Sequence, residues 1–140
     1  MSTLYIETSA ILHWLFAEAS SDRVLEVINE HERVVSSVLS IVETERALIR
    51  TEIGGDLTPA QRQKVYGVFH RSIGGWHFRD ITAAIRDRAG KPFPAEPVRA
   101  MDAIHLSTAL EFLALYPDLA LLSFDQRILA NLPALGLPAA

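Results

Sequence analysis

The chain has 140 residues, 49% hydrophobic and 21% charged, which is the size and balance of one globular domain spanning residues 1–140 and excludes a disordered chain. With 13 basic against 17 acidic side chains its formal net charge is −4, which excludes a protein that coats nucleic acid with a broad basic face but not an enzyme using a local patch. It has no cysteine, so disulfides and thiolate metal sites are excluded and a reducing compartment fits.

"TLYI" reads as a short strand, and Ser9 as the N-cap of the apolar run "AILHWLF". "SSDRVLEVINEH" sets Val24, Leu25, Val27 and Ile28 on one side of a second helix. "RVVSSV" is a β-branched strand, and "LSIVETERALIRTEI" a helix ended by Gly54 and Gly55. "LTPAQRQKVYGVFHRSI" opens another, with Thr58 as cap and Pro59 first in the helix, and stops at Gly74 and Gly75. "WHFRDI" alternates like a half-buried strand, and "TAAIRDRAG" is a short helix ending at Gly90. The prolines of "KPFPAEPVRA" mark a loop, since too little chain follows for a second core. "AMDAIHLSTALEFLALY" is a helix, "ALLSF" a buried strand, and "DQRILANL" a last helix before an apolar tail. Strands alternating with helices imply a mainly parallel sheet in a three-layer α/β/α sandwich.

The N-terminus lacks a basic region ahead of its apolar stretch, and Glu7 interrupts that stretch, so no signal peptide is expected. Glu111, Pro117 and Asp118 break the most apolar segment before it could span a membrane, and a soluble, cytoplasmic protein is expected.

In open parallel sheets ligands bind beyond the carboxyl ends of the strands. Glu7 ends the first strand, Asp125 follows the last, Asp102 lies in the first turn after the proline loop, and Glu43 lies early on the helix after the second strand. Caps and helix dipoles account for Asp102 and Asp125 taken singly. They do not account for Glu7, a carboxylate in an apolar setting that must be compensated. Glu43 competes with Glu45: one shares a face with Leu39, Ala47 and Arg50, the other with Ile41, Val42, Leu48 and Ile49, and periodicity does not choose. Converging carboxylates cannot all stay ionised without a cation, and Mg²⁺ or Mn²⁺, hard ions that serve phosphate chemistry, suit oxygen ligands.

"YIETSAIL", "ETERALIR", "AMDAIHLSTAL" and "LLSFDQRIL" resemble, in order and spacing, the motifs of PIN-domain ribonucleases, closest to the VapC-type toxins of toxin–antitoxin pairs. The resemblance covers almost the whole chain. It implies an α/β/α fold and an Mg²⁺- or Mn²⁺-dependent endoribonuclease acting on single-stranded or looped RNA. It also implies a cognate antitoxin partner, a homodimer, and no direct DNA binding except through the antitoxin. By motif the catalytic and metal-binding acids are Glu7, Glu43, Asp102 and Asp125, so the resemblance selects Glu43 over Glu45. Ser9 and Ser123 match hydroxyls expected to hold water or steady the acids. Asp102 and Asp125 are then the leading ligands, with Glu43 orienting water.

The chain departs from the family at Glu7, where the pattern has aspartate. The extra methylene moves the carboxylate by about 1.5 Å, a large shift for an ion that holds its oxygens at about 2.0–2.1 Å. Reduced metal affinity and slow cleavage are expected. A catalytically weak or inactive PIN-like binding or regulatory module is therefore the alternative.

Arg46, Arg50, Arg99 and Arg127 either contact RNA phosphates or form salt bridges on solvated helix faces. Trp14 and Phe16 are either core or a patch for a partner. His105, three residues after Asp102, reads as a packed, hydrogen-bonded side chain outside the site. His13, His31, His70 and His77 lack zinc-ligand spacing, and no GxxxxGK, GxGxxG or GxSxG occurs. A receiver domain would need a strand-end lysine near the C-terminus, and the lysines are Lys64 and Lys91.

Overall fold

The computed structural model describes residues 2–16 and 21–140. In chain order the elements are β1 (Thr3–Ile6), α1 (Thr8–Leu15), α2 (Ser21–Glu30), β2 (Arg33–Ser37), α3 (Val38–Ile53) and α4 (Pro59–Ile73). There follow β3 (His77–Arg79), α5 (Ala83–Ala89), α6 (Ala100–Leu115), β4 (Leu119–Leu122) and α7 (Gln126–Leu135). The strands form a parallel sheet in the order β3-β2-β1-β4, with β1 in the middle.

Alternation along the strands divides the core in two. Leu4 and Ile6 of β1 and Val34 of β2 face one way, packing on Ile11 of α1, Val24 and Val27 of α2 and Phe69 of α4. Tyr5, Val35, Leu119 and Leu121 face the other, against Leu106, Ala109 and Phe112 of α6 and Ile128 and Leu132 of α7. Leu4, Tyr5 and Ile6 are wholly buried. A side chain of that kind contributes about 1.5–3 kcal/mol on burial, so β1 anchors both faces. These layers are the expected sandwich. The outer edge of β4 is covered by the tail, where Leu121 N–H donates to Pro138 O at 2.8 Å and Ala140 N–H to Leu121 O at 2.9 Å. Among the described residues no helix is long and apolar enough to cross a membrane.

Several local expectations are corrected. Helix α1 starts one residue before Ser9, and its N-cap is Glu7, whose longer side chain folds back onto the Ser9 N–H. Leu25 is 42% exposed, because α2 turns only Val24 and Val27 fully inward. The expected start of that helix at Ser20 lies outside the described residues. Strand β3 covers three residues of "WHFRDI", because Thr82 caps α5 soon after it. Helix α7 runs through Pro133, which lacks only one donor, and closes at Gly136 (φ 71°), where Leu137 N–H returns to Leu132 O at 3.0 Å. Trp14 is a partly buried wall of the core, 6.1 Å from Trp76 between ring centres.

Candidate active site

Glu7 follows β1 directly and is buried, yet it is fully employed. Its Oε2 accepts from Ser9 N–H at 3.0 Å, and its Oε1 accepts from the hydroxyls of Ser9 at 2.5 Å and Ser123 at 2.6 Å. Short bonds of this kind are the strong ones formed by an ionised acceptor. The serines extend the tie. Phe124 N–H donates to Ser9 Oγ at 2.8 Å and Asp125 N–H to Ser123 Oγ at 3.0 Å. Glu7 therefore knots the ends of β1 and β4 together and sets where Asp125 begins α7. Hydroxyl and amide donors compensate its charge.

Glu43 reaches the same region from the second turn of α3. Its Oε1 accepts from Thr8 Oγ1 at 2.7 Å and lies 2.7 Å from His105 Nε2. Burial pushes its pKa up, but the hydrogen bonds from His105 and Thr8 and the nearby Arg50 outweigh it, so the carboxyl sits below its usual range. Glu45 points elsewhere, to His70 of α4 at 3.3 Å. The three-dimensional structure thus separates two acids that helical periodicity could not.

Asp125 is the N-cap of α7, its Oδ1 accepting from Arg127 N–H at 2.9 Å and Ile128 N–H at 3.2 Å. Asp102 stands in the first turn of α6, whose N-cap, Arg99, makes no side-chain capping bond. Among the described residues Asp102 has no hydrogen-bond donor and no ion-pair partner. Burial, then the charges of Asp125 and Glu7, raise its pKa, against a smaller opposing effect of Arg127. It is the least compensated acid of the four.

All four acids line one open cleft of about 470 Å³, with Thr8, Ser9, Leu12, Leu39, Val42, Arg46, Arg50 and Met101. The cleft lies at the carboxyl edge of the sheet. Arg46 and Arg50 are brought to it; Arg99 and Arg127 are exposed and not among its lining residues. Ser123 stands behind Glu7 rather than on the wall. Sequence reasoning missed Thr8 and Tyr5 and placed His105 outside the site. The i,i+3 spacing of Asp102 and His105 was a signal, but Thr8, Glu43 and His105 are far apart in the chain and only the fold joins them.

The donor set is all oxygen, as hard divalent ions require, and Asp102 carries the uncompensated charge that a cation relieves. Among the described residues no three His, Asp or Glu side chains form a ready-made metal cage. Three of the acids are tied to other groups: Glu7 to serines, Glu43 to Thr8 and His105, Asp125 to its own helix. The residues therefore fit an ion bound through one or two carboxylates and otherwise by water, which is how Mg²⁺ is commonly held.

A parallel sheet with acids from β1, α3, α6 and the start of α7 meeting at its carboxyl edge defines a class of protein, and the sequence profile of the PIN domain matches residues 4–134. The chain belongs to the PIN domain family. Among relatives, it is 32% identical over 136 residues to ribonuclease VapC35 of Mycobacterium tuberculosis, covering 96% of this chain and 93% of the relative. It is 30% identical over 138 residues to ribonuclease VapC46 of the same species, covering 98% and 95%. The fold is also that of two solved structures. One is VapBC2 from Rickettsia felis bound to a promoter DNA fragment (TM-score 0.66, 12% identity, 99% of this chain and 97% of that one). The other is a toxin–antitoxin complex from Klebsiella pneumoniae (TM-score 0.62, 16% identity, 94% and 93%).

Proposed function

We propose that this protein is an endoribonuclease toxin that hydrolyses RNA phosphodiester bonds with Mg²⁺ or Mn²⁺ and is neutralised by a cognate antitoxin. The single observation that carries the reading is the cleft that gathers Glu7, Glu43, Asp102 and Asp125 and leaves Asp102 without a partner among the described residues. The relatives named ribonucleases support the reaction class.

Asp102 and Asp125 would hold the ion, with Glu7 and Glu43 placed on the same cleft to reach it directly or through water. When bound, such an ion acidifies water and offsets charge on the phosphate and leaving oxygen. Glu43, kept ionised by its neighbours, accepts a hydrogen bond from the attacking water and fixes its direction. Arg46 and Arg50 on the cleft wall bind phosphate oxygens and locate the strand. Ser9 and Ser123 keep Glu7 and the start of α7 in place.

The assignment of an antitoxin draws on the structural relative from Klebsiella pneumoniae described as a toxin–antitoxin complex. An arginine or lysine of that partner would find a ready acceptor in the acidic cleft. A homodimer is part of the same reading, with Val42 and Met101, 56% and 53% exposed, offering apolar surface at the cleft mouth. One observation favours the second reading, a catalytically weak binding module: the Glu7 carboxylate is already held by Ser9 and Ser123. Calorimetric Mn²⁺ titration together with cleavage of single-stranded RNA separates the two. Asp102→Asn and Asp125→Asn are expected to lower cleavage by at least about 100-fold while remaining folded. Metal-free protein that neither binds Mn²⁺ nor cleaves RNA after its addition would leave the binding module standing.

A further inference from the structure

Behind the cleft, and not among its lining residues, lies a buried titratable side chain for which the proposed reaction has no role. His105 is 1% exposed, and both ring nitrogens have partners. Nδ1 lies 2.8 Å from the Tyr5 phenol, and Nε2 lies 2.7 Å from Glu43 Oε1 and 3.3 Å from Thr8 Oγ1. Tyr5 is wholly buried, with its ring edge-on to the imidazole at 6.1 Å.

The chemistry of these partners fixes where the proton lies. An ionised carboxylate only accepts hydrogen bonds, so the nitrogen facing Glu43 must carry hydrogen. The Tyr5 phenol carries one O–H, and with Nε2–H turned to Glu43 the bare Nδ1 at 2.8 Å is the acceptor facing it. The opposite tautomer would set a nitrogen lone pair against the carboxylate at 2.7 Å. Packing alone would not require that the partner of Nε2 be an acid of the cleft. Thr8 donates to the same Oε1 at 2.7 Å, so two donors from different elements pin one oxygen of Glu43. Among the described residues the other oxygen, Oε2, accepts no hydrogen bond.

We propose that His105 is a positioning residue: Tyr5 fixes its tautomer, and its Nε2–H, with Thr8 Oγ1, pins Glu43 Oε1 so that Oε2 alone serves the cleft. This rests on the nuclease reading. A carboxylate held at one oxygen cannot swing, so water bound at the other has a defined direction.

The test combines tautomer, metal binding and kinetics. In metal-free protein with ¹⁵N-labelled histidine, NMR is expected to show the His105 proton on Nε2; a bare Nε2 with the proton on Nδ1 would overturn the relay. His105→Ala is expected to lower kcat and Mn²⁺ affinity about 10–100-fold, with KM for RNA held within about twofold. His105→Gln places an amide N–H near the lost Nε2 and is expected to recover most of the loss; His105→Asn places it nearer Nδ1 and is not. A merely structural role would lower Tm in all three variants and give Gln no advantage over Asn, and that result would sink the proposal. So would full kcat and Mn²⁺ affinity in His105→Ala. Should His105→Ala not fold, the Gln–Asn comparison decides alone. Wild-type protein that neither binds Mn²⁺ nor cleaves RNA would overturn the nuclease reading and the positioning role with it. The wrong tautomer in an active wild type would overturn the positioning role only.

Discussion

Asp102 and Glu43 sit in the same cleft with opposite pH behaviour. The raised pKa of Asp102 means that the folded chain holds its proton to higher pH than the unfolded chain does. The stability this contributes is complete below the ordinary aspartate value and is lost as pH rises through the raised one. At neutral pH the ionised Asp102 therefore works against folding. Asp102→Asn is expected to raise the Tm of metal-free protein while abolishing cleavage; scanning fluorimetry in EDTA checks it, and a lower Tm would contradict it. Glu43 runs the other way, its contribution present above about pH 4.5 and lost as pH falls through its lowered pKa. Glu7 is a case of reach. Glu7→Ala leaves Ser9 N–H and the Ser123 hydroxyl without their acceptor and is expected to cost about 1–3 kcal/mol in chemical denaturation. Glu7→Asp keeps a good N-cap but draws the carboxylate back by about 1.5 Å, away from Ser123. It is expected to bind Mn²⁺ more tightly and cleave faster than the present chain, and a slower enzyme would identify glutamate as the adapted residue.

At the level of elements, what was legible in the sequence was what local chemistry alone decides. Thr58 and Pro59 announce α4, and the structure completes a capping box there, with Gln61 N–H on Thr58 Oγ1 at 3.1 Å and Thr58 N–H on Gln61 Oε1 at 2.8 Å. Thr58→Ala is expected to destabilise by about 1 kcal/mol. The box is remote from the cleft, so cleavage should be unchanged. The start of α1 was misread because serine is a common cap and glutamate is not. Ser9 is instead engaged by Glu7, Phe124 and Ser123, and the last two are more than 100 positions away. The acids at strand ends were visible from their order along the chain. The choice of Glu43 over Glu45 came from the motif resemblance and not from helical periodicity, because it depends on α6 offering His105 to Glu43 and α4 offering His70 to Glu45. His105 was correctly read as packed and hydrogen-bonded, but its partners come from β1, α1 and α3, and no local pattern points to them.

For the whole molecule the proposed function sets a difficulty of charge: a chain of net −4 with four acids in its cleft would have to attract a polyanion. Two features answer it in the proposed function, the cation itself and the exposed Arg46 and Arg50 on the wall. Binding a ligand only to the folded state stabilises it, so Mn²⁺ at a hundredfold excess over its Kd should add about 2.7 kcal/mol. RNA affinity should in turn rise with Mn²⁺, since the ion offsets charge where the strand must lie. Each phosphate neutralised on a single strand contributes about 0.7 to the slope of log affinity against log salt. If Arg46 and Arg50 each bind one phosphate, their alanine variants should weaken binding of a non-cleavable RNA and flatten that slope by about 0.7 apiece. Arg99→Ala, outside the cleft lining, should leave the slope as it was. The measurement is fluorescence anisotropy across a salt series at fixed Mn²⁺. Equal slopes for Arg46→Ala, Arg50→Ala and the parent chain would mean that these arginines serve the helix surface, and that the metal alone draws RNA into an acidic cleft.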